Sequence, residues 1–147
     1  MARPKDDVAE SQRKKFEHHK EANSTLSYYL DQGNLLGAYV IAYSLLEDRI
    51  RAMYVVVQRD VHKVFYRESD INGSYARMVD YLKDNNHLSN ELASRLKKSN
   101  DARNNLLHNA MWELNVVTED HITRVRKLRN EVSSQLEKIK RAVKKKG

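Results

Sequence analysis

The segment Arg103-Asn104-Asn105-Leu106-Leu107-His108-Asn109 puts a permanent cation, a titratable ring and three amides into a run that otherwise has helical spacing. These are the residue types that RNA cleavage by its own 2′-hydroxyl requires. A base must take the hydroxyl proton, a cation must balance the charge on the pentavalent phosphate, and an acid must protonate the departing oxygen. Histidine titrates near neutrality and serves as base or acid. Arginine stays charged and binds phosphate oxygens two at a time. In this reading Arg103 holds the scissile phosphate and His108 moves the proton. Asn104, four residues before His108, orients its ring or touches phosphate. Asn105 and Asn109 are further RNA contacts or plain helix-end caps. The chemistry needs no metal and no cofactor. The sequence holds no HExxH, and Glu17-His18 and Asp84-Asn85-Asn86-His87 are isolated fragments that read as surface.

An arginine and a histidine with four residues between them are a cheap pattern, expected about once or twice by chance in a chain of this composition. A second pair is present, Arg13 and His18, in a charged stretch with little apolar periodicity, and it reads as solvated surface. Arg103 differs in its setting. It follows Leu96 by seven residues and Leu92 by eleven, so at 100° per residue it falls within about 20° of both, on the apolar stripe. A charge aimed at a core needs a partner or a wet interface. Glu47 is the mirror case, on an apolar stripe with Val40, Tyr43 and Tyr54. The two are expected to approach each other. A buried ion pair that only fixes helix register is the competing expectation.

The elements that must position these residues are helices. The chain has 147 residues, 40% hydrophobic and 32% charged, with four Gly and one Pro. So few breakers argue against hairpins and long loops, and the length suits one domain. The absence of Cys removes disulfides, thiolate metal sites and a Cys nucleophile. The polar start and the shortness of the apolar run Gly33 to Leu46 predict neither a signal peptide nor a membrane span, hence a soluble cytoplasmic protein. The net charge of +7 favours polyanions, RNA above all, over a neutral partner; ordinary solubilising charge is the alternative.

Periodicity predicts a first helix over about Asp7 to Leu30, with a possible break at Asn23-Ser24-Thr25. Gly33 ends it and Asn34 caps the next. The second, about Leu35 to Gln58 with possible continuation to Glu68, carries Leu35, Ala38, Tyr39, Ala42, Leu46, Ile50, Met53 and Val57 on one stripe. Leu36, Val40, Tyr43, Ile50 and Tyr54 lie on a neighbouring stripe. Apolar over so much of its girth, it is expected at the centre. A loop over Ser69 to Ser74 precedes a short helix, Tyr75 to about Lys83. A fourth helix runs from near Leu88 to about Asn109. Thr118 caps the last, whose first turn holds Glu119 and Asp120 and whose stripe is Ile122, Val125, Val132, Leu136, Ile139 and Val143. The expected fold is all-α, an antiparallel bundle of four to five helices in a single domain. Residues 1–32 would form an N-terminal helix and 33–144 the core. Tyr39, Tyr43 and Tyr54 sit at core spacing. Trp112 is expected to pack, to meet a second subunit or to stack on a nucleotide. Lys138, Lys140 and Arg141, in a tail with no acid after Glu137, are expected to track RNA phosphates or simply to solvate a helix end.

Arg103-Asn104…His108, on the helix before the last and with a polar residue after the arginine, resembles the R-x(4–6)-H motif of the HEPN superfamily, compact helical domains that are often ribonucleases. The second helix, with Leu45-Leu46-Glu47-Asp48-Arg49-Ile50, is similar to that family's opening core helix. The likeness covers the chain from about Gly33 onward at the level of pattern. It implies Glu47 as the acidic residue beside the arginine. It also implies a homodimer whose two motifs share one cleft, metal-independent endoribonuclease activity, and a role in toxin–antitoxin or antiviral defence systems with a possible antitoxin or other regulatory protein. The alternatives are a HEPN-type dimer that binds RNA or a protein partner without cutting, and a basic helical nucleic-acid-binding or adaptor protein in which the motif is accidental. The chain departs from toxins paired with small nucleotidyltransferases, because Ala110 stands where those have the modified tyrosine.

Overall fold

The computed structural model describes residues 5–63, 74–113 and 115–146, with the side chains of residues 5–12, 15 and 16 left aside. Among these residues every regular element is helical: α1 (Lys5–Asp31), α2 (Leu35–Val56), α3 (Tyr75–Asp84), α4 (Asn90–Ala110) and α5 (Glu119–Lys146), with a π-helical turn Val57–Val61 closing α2.

Helix α2 is the centre of the bundle, as its girth of apolar side chains predicts. It packs on α1, α3 and α5, while α4 leans mainly on α3. Ala38, Tyr39, Ala42, Tyr43, Leu46, Ile50 and Met53 are all but sealed from solvent. The second expected stripe is only partly buried, because Val40 is 44% exposed. Burying a side chain of this size stabilises a fold by about 1.5–3 kcal/mol, so the Tyr39–Met53 face, not the Val40 face, holds the bundle. Helix α5 buries Ile122, Val125, Val132, Leu136 and Ile139 as expected and adds Leu128, with Val143 at the edge.

Local chemistry sets the helix ends. Gly33 has φ +72°, which a side chain adopts only at a cost, and Asn34 Oδ1 accepts from the Gly37 amide at 3.0 Å. The short connection turns α2 back along α1. The break expected at Asn23-Ser24-Thr25 is absent. The Ser24 and Thr25 hydroxyls donate back to the carbonyls of Lys20 and Glu21, so helix α1 satisfies them without interruption. Ser74 caps α3 and Ser89 caps α4, the latter accepting from the Leu92 amide at 3.1 Å. Helix α4 thus begins two residues later than periodicity alone suggests, and Leu88 sits buried in the connection. Helix α2 does not run regularly to Glu68: it loosens at Val57–Val61 and ends at His62. Residues 64–73, with most of the expected loop, lie outside the described residues.

Candidate active site

Helix α4 remains a regular α-helix through the whole Arg103–His108 segment, with Met111 as its C-cap. The two side chains therefore leave the axis about 140° apart. Arg103 points toward α2 and His108 toward solvent.

The arginine is held by three contacts. Its guanidinium carbon lies 5.1 Å from the centre of the Tyr43 ring, a cation–π arrangement. Its Nε is 3.9 Å from Glu47 Oε1, and one terminal nitrogen donates to Asn104 Oδ1 at 3.3 Å. The expected approach of Arg103 and Glu47 is present, but the pair is not buried: the side chains are 37% and 34% exposed. Tyr43, which is buried, fills the space beneath and lifts the charge to the rim. The guanidinium thus keeps open donors, which a sealed ion pair would not.

Beneath the arginine lies an aromatic bed. Tyr43 stacks on Tyr75 at 5.9 Å and lies 6.2 Å from Tyr39. The Tyr43 hydroxyl donates to Asn100 Oδ1 at 3.0 Å, tying α2 to α4 one turn before Arg103. Burial, and after it the Glu47 carboxylate, pushes the Tyr43 hydroxyl well above its ordinary value of 10.0. Burial does the same for Tyr39 and more strongly for Tyr75. These phenols stay protonated at neutral pH and position the arginine without exchanging protons. Asn100 and Tyr75 were missing from the residues expected at the site. Asn100 sits three residues before Arg103, a helical neighbour, whereas Tyr75 comes from α3, whose docking no local pattern encodes.

His108 is exposed in the last turn of α4 and has no polar partner among the described residues. Asn104 lies beside Arg103, while Asn105 and Asn109 are exposed. The Asn109 carbonyl accepts from the Trp112 and Glu113 amides at 2.9 and 2.8 Å, so its backbone closes the helix while its side chain stays open. Trp112 does not pack against the described residues: it is 80% exposed and its neighbour Met111 is 77% exposed. The tail cations Lys138, Lys140 and Arg141 are solvated, with Lys140 near Glu137 at 3.9 Å. Lys138 stands about 25 Å along α5 from His121, at 1.5 Å per residue, so one chain does not bring the tail to Arg103. Of the second arginine–histidine pair, both residues are exposed, and His18 faces a groove between α1 and α2 that also includes Glu47.

No group of three or more potential ligands among the described residues is arranged to hold a metal ion, and none of their helices is long and apolar enough to cross a membrane. No family model matches the chain, and no curated protein or solved structure matches it either.

Proposed function

We propose that this protein is a HEPN-like endoribonuclease that acts as a homodimer on RNA without a metal ion. The observation that carries the reading is Arg103: a guanidinium fixed at the surface by Tyr43, Glu47 and Asn104, with donors still open, on the same regular helix as a solvent-facing His108. In the reaction one histidine removes the 2′-hydroxyl proton as that oxygen attacks phosphorus. Arg103 stabilises the pentavalent phosphate, and a second histidine protonates the departing 5′-oxygen. The products are a 2′,3′-cyclic phosphate and a 5′-hydroxyl.

One chain supplies one such histidine, and helix geometry separates it from its own arginine. A twofold pair of chains supplies two of each at one cleft. Exposed Met111 and Trp112, three and four residues after His108, offer apolar surface for the second copy. The resemblance to HEPN toxins supports a place in a toxin–antitoxin or phage-defence system.

A second reading, an RNA- or protein-binding HEPN-like dimer without cleavage, is favoured by one observation: nothing in the described chain fixes the His108 ring. General bases are commonly oriented by a partner. The deciding test is cleavage of a mixed RNA pool in EDTA by the wild type, Arg103→Ala and His108→Ala at matched folding. The expected result is a loss of at least about 100-fold in each variant. Equal cleavage by all three overturns the assignment. RNA binding without cleavage by the wild type leaves the second reading.

A further inference from the structure

An apolar depression lies between α4 and α5. Its cavity of about 470 Å³ has a floor of Tyr39, Ala102, Leu106, Val125 and Leu128. That volume falls in the range of small-ligand sites, about 300–1,000 Å³. The two helices pack mainly on other elements, α4 on α3 and α5 on α2, which leaves the trough between them open. Its walls are cationic on both sides, with Lys98 from α4 and Arg124 and Lys127 from α5. Arg95, also on the α4 wall, is neutralised by a bidentate pair with Glu131 at 2.9 and 2.8 Å. No carboxylate among the described residues lines the depression. Among the described residues, Lys98, Arg124 and Lys127 form no close ion pair, although the Lys127 charge also acts on the Glu131 carboxylate.

An apolar floor between facing cationic walls fits a molecule with flat apolar faces and regularly spaced negative charges. A single strand of nucleic acid has that form, because every residue carries a base with two apolar faces and one phosphate. Beneath the floor, buried aromatic rings link the groove to the candidate active site. Tyr39 is 6.2 Å from Tyr43, and Tyr43 carries the Arg103 guanidinium. At the other side of Tyr39, the His121 ring stands edge-on at 6.4 Å. The Nδ1 of His121 accepts from the Thr118 amide at 3.0 Å, which fixes the ring and leaves its Nε2 as a donor.

We propose that the α4–α5 groove binds single-stranded RNA, with a base on the floor beside Tyr39 and phosphates on Lys98, Arg124 and Lys127. The groove delivers the next phosphate toward Arg103. It rests on the reading of RNA as substrate, and it names the surface that would hold the strand.

The test uses the full chain carrying His108→Ala, so that RNA is not consumed, with a fluorescent single-stranded RNA titrated over a salt series. Lys98→Gln/Lys127→Gln is expected to weaken binding about tenfold and to flatten the log–log salt dependence by about 1.4, the share of two phosphate contacts. Lys20→Gln/Lys144→Gln removes the same charge elsewhere and is expected to change binding less than about threefold. Ala102→Trp fills the floor without altering charge and is expected to weaken binding as strongly as the groove pair. Equal effects of the two lysine pairs, or unchanged binding by Ala102→Trp in a folded protein, overturn the proposal. So does polyglutamate binding as tight as RNA at equal charge, which would make the groove an acidic-peptide surface. Groove-dependent binding without cleavage by the wild type removes the nuclease reading and leaves the groove. Cleavage that survives loss of groove binding removes the groove and leaves the nuclease.

Discussion

Tyr43 and Tyr75 lie face to face under Arg103, yet their hydroxyls are in different situations. That of Tyr43 donates to Asn100, whereas that of Tyr75 is buried and has only the Tyr43 hydroxyl beside it among the described residues, without a well-formed hydrogen bond. A made hydrogen bond is worth about 1 kcal/mol net, while a buried hydroxyl without one carries an uncompensated desolvation cost. Tyr43→Phe is therefore expected to lower unfolding free energy by about 1 kcal/mol, and Tyr75→Phe to be neutral or stabilising by up to about 1 kcal/mol. Urea denaturation at neutral pH measures both, and a Tyr75→Phe loss larger than that of Tyr43→Phe contradicts the assignment. Arg103 offers a related contrast. Its pair with Glu47 is half-exposed, and such pairs contribute about 0–1 kcal/mol. Arg103→Ala should barely change stability while removing cleavage, as a residue kept for phosphate and not for the fold would.

Helix α4 carries both motif residues, and its two ends are fixed by different chemistry. Ser89 accepts from the Leu92 amide at the start, and the loss of such a cap costs about 1 kcal/mol. Ser89→Ala is expected to lower the unfolding free energy read from urea denaturation by that amount, with the motif geometry intact and cleavage per folded molecule unchanged. Along its length α4 is clamped to α5 by Arg95 and Glu131. The Arg95 hydrogen bonds hold the Glu131 carboxyl below its ordinary 4.5. A carboxyl with a depressed folded-state pKa stabilises the fold above its unfolded pKa, and the contribution fades as pH falls through the folded value. Acid unfolding of Arg95→Met followed by circular dichroism should show less stability loss as pH falls below the ordinary carboxyl value of 4.5 than the wild type shows. An identical acid profile would mean the clamp is fully screened by solvent.

For the whole molecule, the question is how many chains make one site. With His108 outside and Arg103 turned toward α2, a single bundle presents the two groups in different directions. If two copies compose the cleft, cleavage per mole of protein should fall on dilution through the dimer dissociation range. Trp112→Ser should move that range to higher concentration. Activity and sedimentation measured over the same dilution series check this. Constant specific activity with a monomer throughout would contradict the dimeric site.

The all-helical fold, the central place of α2, the caps at Asn34 and Ser74, and the core stripe of α5 were legible in the sequence, whereas the Ser89 cap was not. The legible features depend on apolar period, turn residues and N-cap chemistry, all of which act within a few residues. The same helical arithmetic put Arg103 and Glu47 on facing stripes and was right that they meet. It did not show that Tyr43 lies between the charges and the core, holding the pair at the rim. Periodicity gives an angle around one axis, while depth depends on where the neighbouring helix stands. For the same reason the sequence presented Lys138, Lys140 and Arg141 as the basic surface, because a run of cations is conspicuous. The cations that line a groove, Lys98, Arg124 and Lys127, are scattered over two helices. Only the lateral gap between α4 and α5, set by each helix packing more closely on another, gathers them around one apolar floor.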